Sequence, residues 1–150
     1  MRELQGNVFK LGVEDLHLIL PSIEQFAREE NWAYEEQWFL EHMEEQMEMG
    51  YIRVIAYIRD EEVMGVLIFF LTEDIFSPTL RALEIVFWVR EDKRGSAVSG
   101  RLAGVYESIC RKEKVDSSIF GTVFHRKNTL KASLLKRGYK PLEERLIKQF

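Results

Sequence analysis

The chain has 150 residues, 46% of them hydrophobic, 12% aromatic and 31% charged, and a net charge of -4. It is therefore expected to form one folded domain over residues 1–150, and disordered, collagen-like and mucin-like classes are excluded. The small net charge hides a division, because residues 1–75 hold 5 Lys/Arg against 17 Asp/Glu while residues 76–150 hold 16 against 8, a polarity that suits two surfaces with two kinds of partner.

A short strand is predicted at Val8 to Leu11, followed by apolar residues at Leu16, Ile19, Leu20, Ile23, Phe26 and Ala27, the spacing of one helix face. Pro21 falls inside that pattern and must either kink one helix or begin a second. After a break near Asn31, a second helix is predicted from Tyr34 to Met49, with Trp38, Phe39, Met43 and Met47 on its apolar face, glutamates around it and Gly50 as its stop. The period then changes to two. Tyr51 to Arg59 and Val63 to Thr72 read as a hairpin turning at Asp60-Glu61-Glu62.

Beyond Ser77 and Pro78, Leu83 to Val89 is apolar on both faces, as a central strand is, and the charged residues Arg90 to Arg94 end it. A helix opening at Gly95 carries the stripe Val98, Leu102, Val105, Tyr106 and Ile109 and ends near Lys112. Ile119 to Phe124 reads as a strand, Asn128 to Lys136 as a short helix closed by Gly138, and the last dozen residues as one or two strands. This order makes an α+β, mixed α/β layer protein with one sheet and helices on both faces.

A single cysteine, Cys110, rules out an intramolecular disulfide and a Cys-rich metal site, so a reducing compartment, the cytoplasm, is expected. Glu3, Glu14, Asp15 and His17 interrupt the apolar run that a secretory signal requires. The longest apolar run, Val63 to Leu71, is about half of the roughly 20 residues that span a bilayer as a helix, so no membrane partner is expected.

The segment from Glu84 to Leu102 carries the chemistry: a central strand passes through a basic, small-residue loop into a helix. The unpaired N–H groups and the positive dipole end of a helix start attract anions, and small side chains let an oligophosphate reach the backbone. Lys93 and Arg94 add positive charge. The loop is neither a Walker loop nor a dinucleotide fingerprint, since no Gly-Lys-Ser/Thr and no G-x-G-x-x-G is present.

Arg94-Gly-Ser-Ala-Val-Ser, following its strand, resembles the signature Arg/Gln-x-x-Gly-x-Gly/Ala of the GNAT superfamily of acyl-CoA-dependent N-acetyltransferases. Arg94 fits, while Ala97 and Ser99 stand for the two signature glycines; alanine tolerates a left-handed backbone less well. Asp60 to Gly65 is similar to the family's hairpin, and Lys136-Arg-Gly-Tyr139 to its late turn. The resemblance covers residue 51 to the end and extends to the first fifty residues in element order. It implies a GNAT-like fold with a central, mostly antiparallel sheet.

The resemblance further implies acetyl-CoA as co-substrate and no metal. The backbone of Phe87, Trp88 and Val89 would pair with the pantetheine arm, the amides of Arg94, Gly95, Ser96, Ala97, Val98 and Ser99 would hold the pyrophosphate, and Asn128 joins this cofactor-binding set. The acceptor would lie against the first two helices and the hairpin, the acidic half, which favours a cationic amine, on a small molecule or a protein. Glu84 stands where the family's histone-acetylating branch carries its general base, and burial among Leu83, Ile85 and Val86 would raise its pKa. Leu134 replaces the tyrosine that commonly protonates the leaving thiolate, which leaves Ser133, Tyr139, solvent or unassisted departure, and keeps open an acyl-CoA-binding or interaction module without efficient transfer.

Plainer readings stand beside these. Glu84 serves equally as a strand-end surface residue or a buried ion-pair partner, Cys110 as a core thiol, and Trp32, Tyr34 and Trp38 as core aromatics rather than an acceptor pocket. His17, His42 and His125 show no metal-ligand spacing, although His125 is near the proposed cofactor. Arg126, Lys127, Lys131, Lys136, Arg137 and Lys140 could grip a cofactor phosphate or form a solvated face; no nucleic-acid motif accompanies them. The assembly is left open, a homodimer included.

Overall fold

The computed structural model describes residues 1–121, 129–143 and 145–150. Its first hairpin is set by turn chemistry: Gly6 and Asn7 take φ of 51° and 67°, folding β1 (Arg2–Gln5) onto β2 (Val8–Leu11). Two residues of positive φ match the right-handed twist of the flanking strands. β1 was not expected, although Gly6-Asn7 is a legible turn signal. A 3₁₀ helix over Val13–Leu18 then precedes α1 (Leu20–Glu30), with Pro21 in its first turn. Pro21 thus begins a helix rather than kinking one, because a first-turn N–H has no intrahelical acceptor to lose.

After α2 (Glu36–Glu48), the hairpin β3 (Ile52–Arg59) and β4 (Glu62–Glu73) turns through Asp60 and Glu61, both of positive φ. β5 (Leu80–Val89), α3 (Ala97–Lys112), β6 (Ser117–Ile119) and α4 (Thr129–Lys136) follow. The sheet runs β1-β2-β3-β4-β5-β6, antiparallel except for β5 with β6. The order and class are the α+β arrangement expected, with a mostly antiparallel sheet, α1 and α2 on one face and α3 on the other. Residues 122–124 of the expected strand lie outside the described residues. No terminal strand forms among described residues 139–143 and 145–150: Leu142, Leu146, Ile147 and Phe150 are exposed, without a ladder to pair into.

Two cores sandwich the sheet. Ile55, Leu67 and Phe69 pack with Leu102, Val105 and Tyr106 of α3, whereas Val54, Val66 and Ile68 pack with Ile19, Ile23 and Phe26 on the other face. α3 approaches Gly65 of β4 closely, since a Cβ there would come within 2.8 Å of Leu102 and 2.9 Å of Val98. That closeness seats the N-terminus of α3 against the ends of β4 and β5.

α2 departs from expectation. Met43 is buried and Phe39 and Met47 are partly buried, but Trp38 faces solvent at 68% exposure. Trp32 is likewise mostly exposed, with one edge against the buried Phe26, so neither tryptophan is a core aromatic; Tyr34 is half-buried and packs against Phe39.

Candidate active site

β5 and β6 pair only at Arg81–Ser117, Ala82–Ser118 and Leu83–Ile119. Beyond Leu83, β5 has no strand neighbour on that side among the described residues. Immediately past the parting, the β4–β5 ladder skips a residue: Phe69 faces Glu84 while Ile68 faces Val86, leaving Ile85 as a bulge. The bulge reverses the alternation of β5. Ala82 packs with α3, but Val86 and Trp88 pack on the α1 face, with Phe87 and Val89 returned to the α3 side.

The same ladder orients the backbone. Arg90 N–H donates to the Met64 carbonyl, so Trp88 pairs inward with Val66, and Phe87 and Val89 turn their peptide groups away from β4 toward the open side. The Val89 carbonyl already accepts from Arg94 Nε at 2.9 Å. Trp88 is buried, and its indole N–H has no partner among the described residues.

Glu84 sits at the parting itself. Its Oε2 accepts the Gly121 N–H at 3.0 Å, and a Cβ at Gly121 would lie only 3.3 Å from that oxygen. Burial raises the Glu84 carboxyl from 4.5 to about 7, the Glu30 carboxylate at the end of α1 adds to the rise, and the Gly121 hydrogen bond opposes it.

The loop into α3 supplies anion-binding groups. Ser96 caps the helix, its hydroxyl accepting from Val98 N–H and donating to the Lys93 carbonyl. The other first-turn amides, of Ala97 and Ser99, have no intrahelical acceptors. Gly95 has φ of 79°, whereas Ala97 is the first helical residue. The left-handed demand thus falls on a glycine, and Ala97 in place of the signature glycine meets no backbone strain. A Cβ at Gly95 or at Gly100 would meet nothing within 4 Å among the described residues, so the side-chain side of this turn is open to an extended anion.

Arg94 does not point outward as a spare cation. Its Nη2 reaches both oxygens of Glu29 at 2.7 and 2.6 Å, tying the loop to the last turn of α1. Arg90 is similarly held by Glu62 and Asp92, both at 2.7 Å. Part of the loop's positive charge is thus neutralised by the acidic half of the chain, and the helix-start amides carry more of the anion attraction.

Of the other residues singled out, Leu134 is buried at 4% exposure. The Tyr139 hydroxyl pairs with Ser118 Oγ at 2.9 Å, its ring stands edge-on to Phe120, and burial raises its pKa. Cys110 is a buried core thiol whose pKa burial also raises. Arg137 is engaged by Glu107 and the Gly100 carbonyl. His125, Arg126, Lys127 and Asn128 lie outside the described residues. Sequence reasoning missed Gly121, Glu29 and Glu30. No local pattern marks them, because each reaches the site only when α1 and β6 pack against β5.

No family model and no curated protein matches the sequence. Solved structures do match in fold. A ribosomal-protein-alanine N-acetyltransferase from Brucella melitensis biovar Abortus 2308 superposes with a TM-score of 0.75 at 14% identity, over 97% of this chain and 100% of that one. A probable acetyltransferase gives 0.80 at 13% identity, over 97% of each chain. A protein described as a transcriptional regulator from Bacillus halodurans C-125 gives 0.78 at 16% identity, over 95% of this chain and 98% of that one.

Proposed function

From the GNAT-type acetyltransferase fold that these likenesses show, we propose that the chain is an N-acetyltransferase that moves an acetyl group from acetyl-CoA to a primary amine by direct attack. The observation that carries this reading is the position of Glu84: a half-buried carboxyl with a pKa of about 7, at the parting of β5 and β6 and in one continuous segment with the anion-ready start of α3. The peptide groups of Phe87 and Val89 would hold the pantetheine arm, and the amides from Gly95 to Ser99 the pyrophosphate. Trp88 would support them from beneath.

Only a neutral amine can attack the thioester carbonyl carbon. In this reading ionised Glu84 takes the amine proton, directly or through water, as the new C–N bond forms and the C–S bond breaks. The CoA thiolate leaves with the electron pair of that bond. A pKa near 7 keeps Glu84 ionised in about half the molecules at neutral pH while leaving it basic enough to act. Glu30 adds negative charge near Glu84 at the end of α1, which supports a cationic amine as acceptor.

Calorimetry with acetyl-CoA tests the reading first. Micromolar binding that Arg94→Glu abolishes, together with thiol release in an amine panel that Glu84→Gln abolishes, is the expected result; no binding at high micromolar cofactor overturns it. A second reading, an acyl-CoA-binding module without efficient transfer, is favoured by Leu134, which offers an apolar side chain buried in the core where the resemblance expects a tyrosine. Cofactor binding without thiol release for any amine would select it.

A further inference from the structure

The solvent side of α2 has no role in the fold or in the proposed chemistry, yet it is not built as an inert surface. Trp38, His42, Glu45 and Met49 succeed one another at the four- and three-residue spacing of a single helix stripe, and all are exposed. The Trp38 and His42 rings stack at 6.0 Å with 9° between planes, which leaves the other indole face open. Glu41 and Glu48 flank the stripe. No glutamate of α2 pairs with a Lys or Arg among the described residues. The last turn of α2 holds acidic residues and no basic one, against the preference of a helix C-terminus for cations. A two-thirds-exposed tryptophan and a run of uncompensated like charges both work against the isolated chain, and such local conflicts mark surfaces selected for something other than stability.

We infer that the outer stripe of α2, from Trp38 to Met49, is a docking surface for a Lys/Arg-bearing polypeptide segment. Charge complementarity names the occupant. A guanidinium or ammonium fits over the open face of Trp38 with Glu41 beside it, Glu45 and Glu48 supply carboxylates further along the stripe for the cations that follow, and Trp38 and Met49 cover the aliphatic stems of long cationic side chains. The stripe runs for about 17 Å along the helix, the length of roughly five residues of extended chain. A polypeptide fills it, whereas a single small cation does not. The inference needs neither acetyl-CoA nor a transfer step, so it stands or falls apart from the proposed activity.

The test is a titration of the intact chain at low salt with a synthetic peptide of alternating arginine and glycine, read by tryptophan fluorescence and calorimetry. An otherwise identical glutamate–glycine peptide and spermidine serve as comparisons. The expected result is binding by the arginine peptide alone, weakened by salt, weakened about tenfold by Trp38→Ala, and weakened again by Glu41→Gln with Glu45→Gln and Glu48→Gln, while acetyl-CoA titrations stay unchanged. Both sets of substitutions are at exposed positions, and circular dichroism verifies that the fold persists. No binding of the arginine peptide overturns the inference. Equal binding by Trp38→Ala, or by spermidine, also overturns it by reducing the contact to bulk charge. Self-association in sedimentation that Trp38→Ala abolishes overturns it too, since a second copy would then be the occupant.

Discussion

The Gly121 amide donates to the Glu84 carboxylate at 3.0 Å across the point where β5 and β6 part, so a residue 37 positions away helps set the charge state of the proposed base. A Cβ at Gly121 would stand 3.3 Å from the accepting oxygen and push the carboxyl off this bond by a few tenths of an ångström. Weakening a hydrogen bond to the ionised form raises a carboxyl pKa. Gly121→Ala should therefore move the ascending limb of the pH–kcat/KM profile upward from about 7 and lower the rate at neutral pH.

The pH dependence of Glu84 itself has a definite sign. Transfer should rise with pH through about 7 as the base loses its proton, and Glu84→Gln should remove that limb. Stability runs the other way. Between 4.5 and about 7 the folded carboxyl keeps a proton that the unfolded one has lost, so this group makes the fold less stable as pH climbs through that window. Glu84→Gln should be no less stable than the wild type above pH 7, with the difference moving in its favour across the window by up to about 3 kcal/mol, read by urea unfolding at several pH values.

Gly65 is a packing requirement. Any side chain there meets Leu102 at 2.8 Å and Val98 at 2.9 Å and must push α3 from the sheet. Gly65→Val should cost roughly 2–3 kcal/mol in denaturant unfolding. Because Val98 belongs to the first turn of α3, Gly65→Ala should weaken acetyl-CoA binding more than an overpacked site elsewhere in the core would.

The β3–β4 turn offers a gain. Glu61 is held at φ of 62°, a conformation that a side chain disfavours. Glu61→Gly recreates the Asp-Gly pair preferred in such turns and should stabilise the chain by about 0.5–1 kcal/mol in thermal or denaturant unfolding, without altering activity.

The Arg94–Glu29 pair joins the proposed phosphate loop to α1. Arg94→Ala removes this contact and the one to the Val89 carbonyl together. It should speed amide hydrogen exchange in the last turn of α1 and around residues 90–96, with a global loss of about 1 kcal/mol, since the pair is partly exposed. Glu29→Gln should reproduce the exchange effect and leave the Val89 contact intact.

Much of this fold is legible in the order of residues. The change of period at Tyr51, the apolar run at Val63 to Leu71, and the small-residue loop before the α3 stripe depend on near neighbours in sequence, and these fix the class, the central hairpin and the anion-ready helix start. Trp38 shows the limit. Its spacing from Phe39, Met43 and Met47 suits an apolar face, but which arc of α2 turns inward depends on where the 3₁₀ helix Val13–Leu18 and β3 meet it.

The division of charge has the same character. Sequence alone determined that one half is acidic and the other basic, because charge is a property of composition. Only the tertiary structure decided that Glu29 would neutralise Arg94, that Glu30 and Gly121 would pull Glu84 in opposite directions, and that the glutamates of α2 would be left facing solvent. Coulomb and hydrogen-bond energies depend on separation in space and on access of water, and neither is encoded in the distance between two positions along a chain.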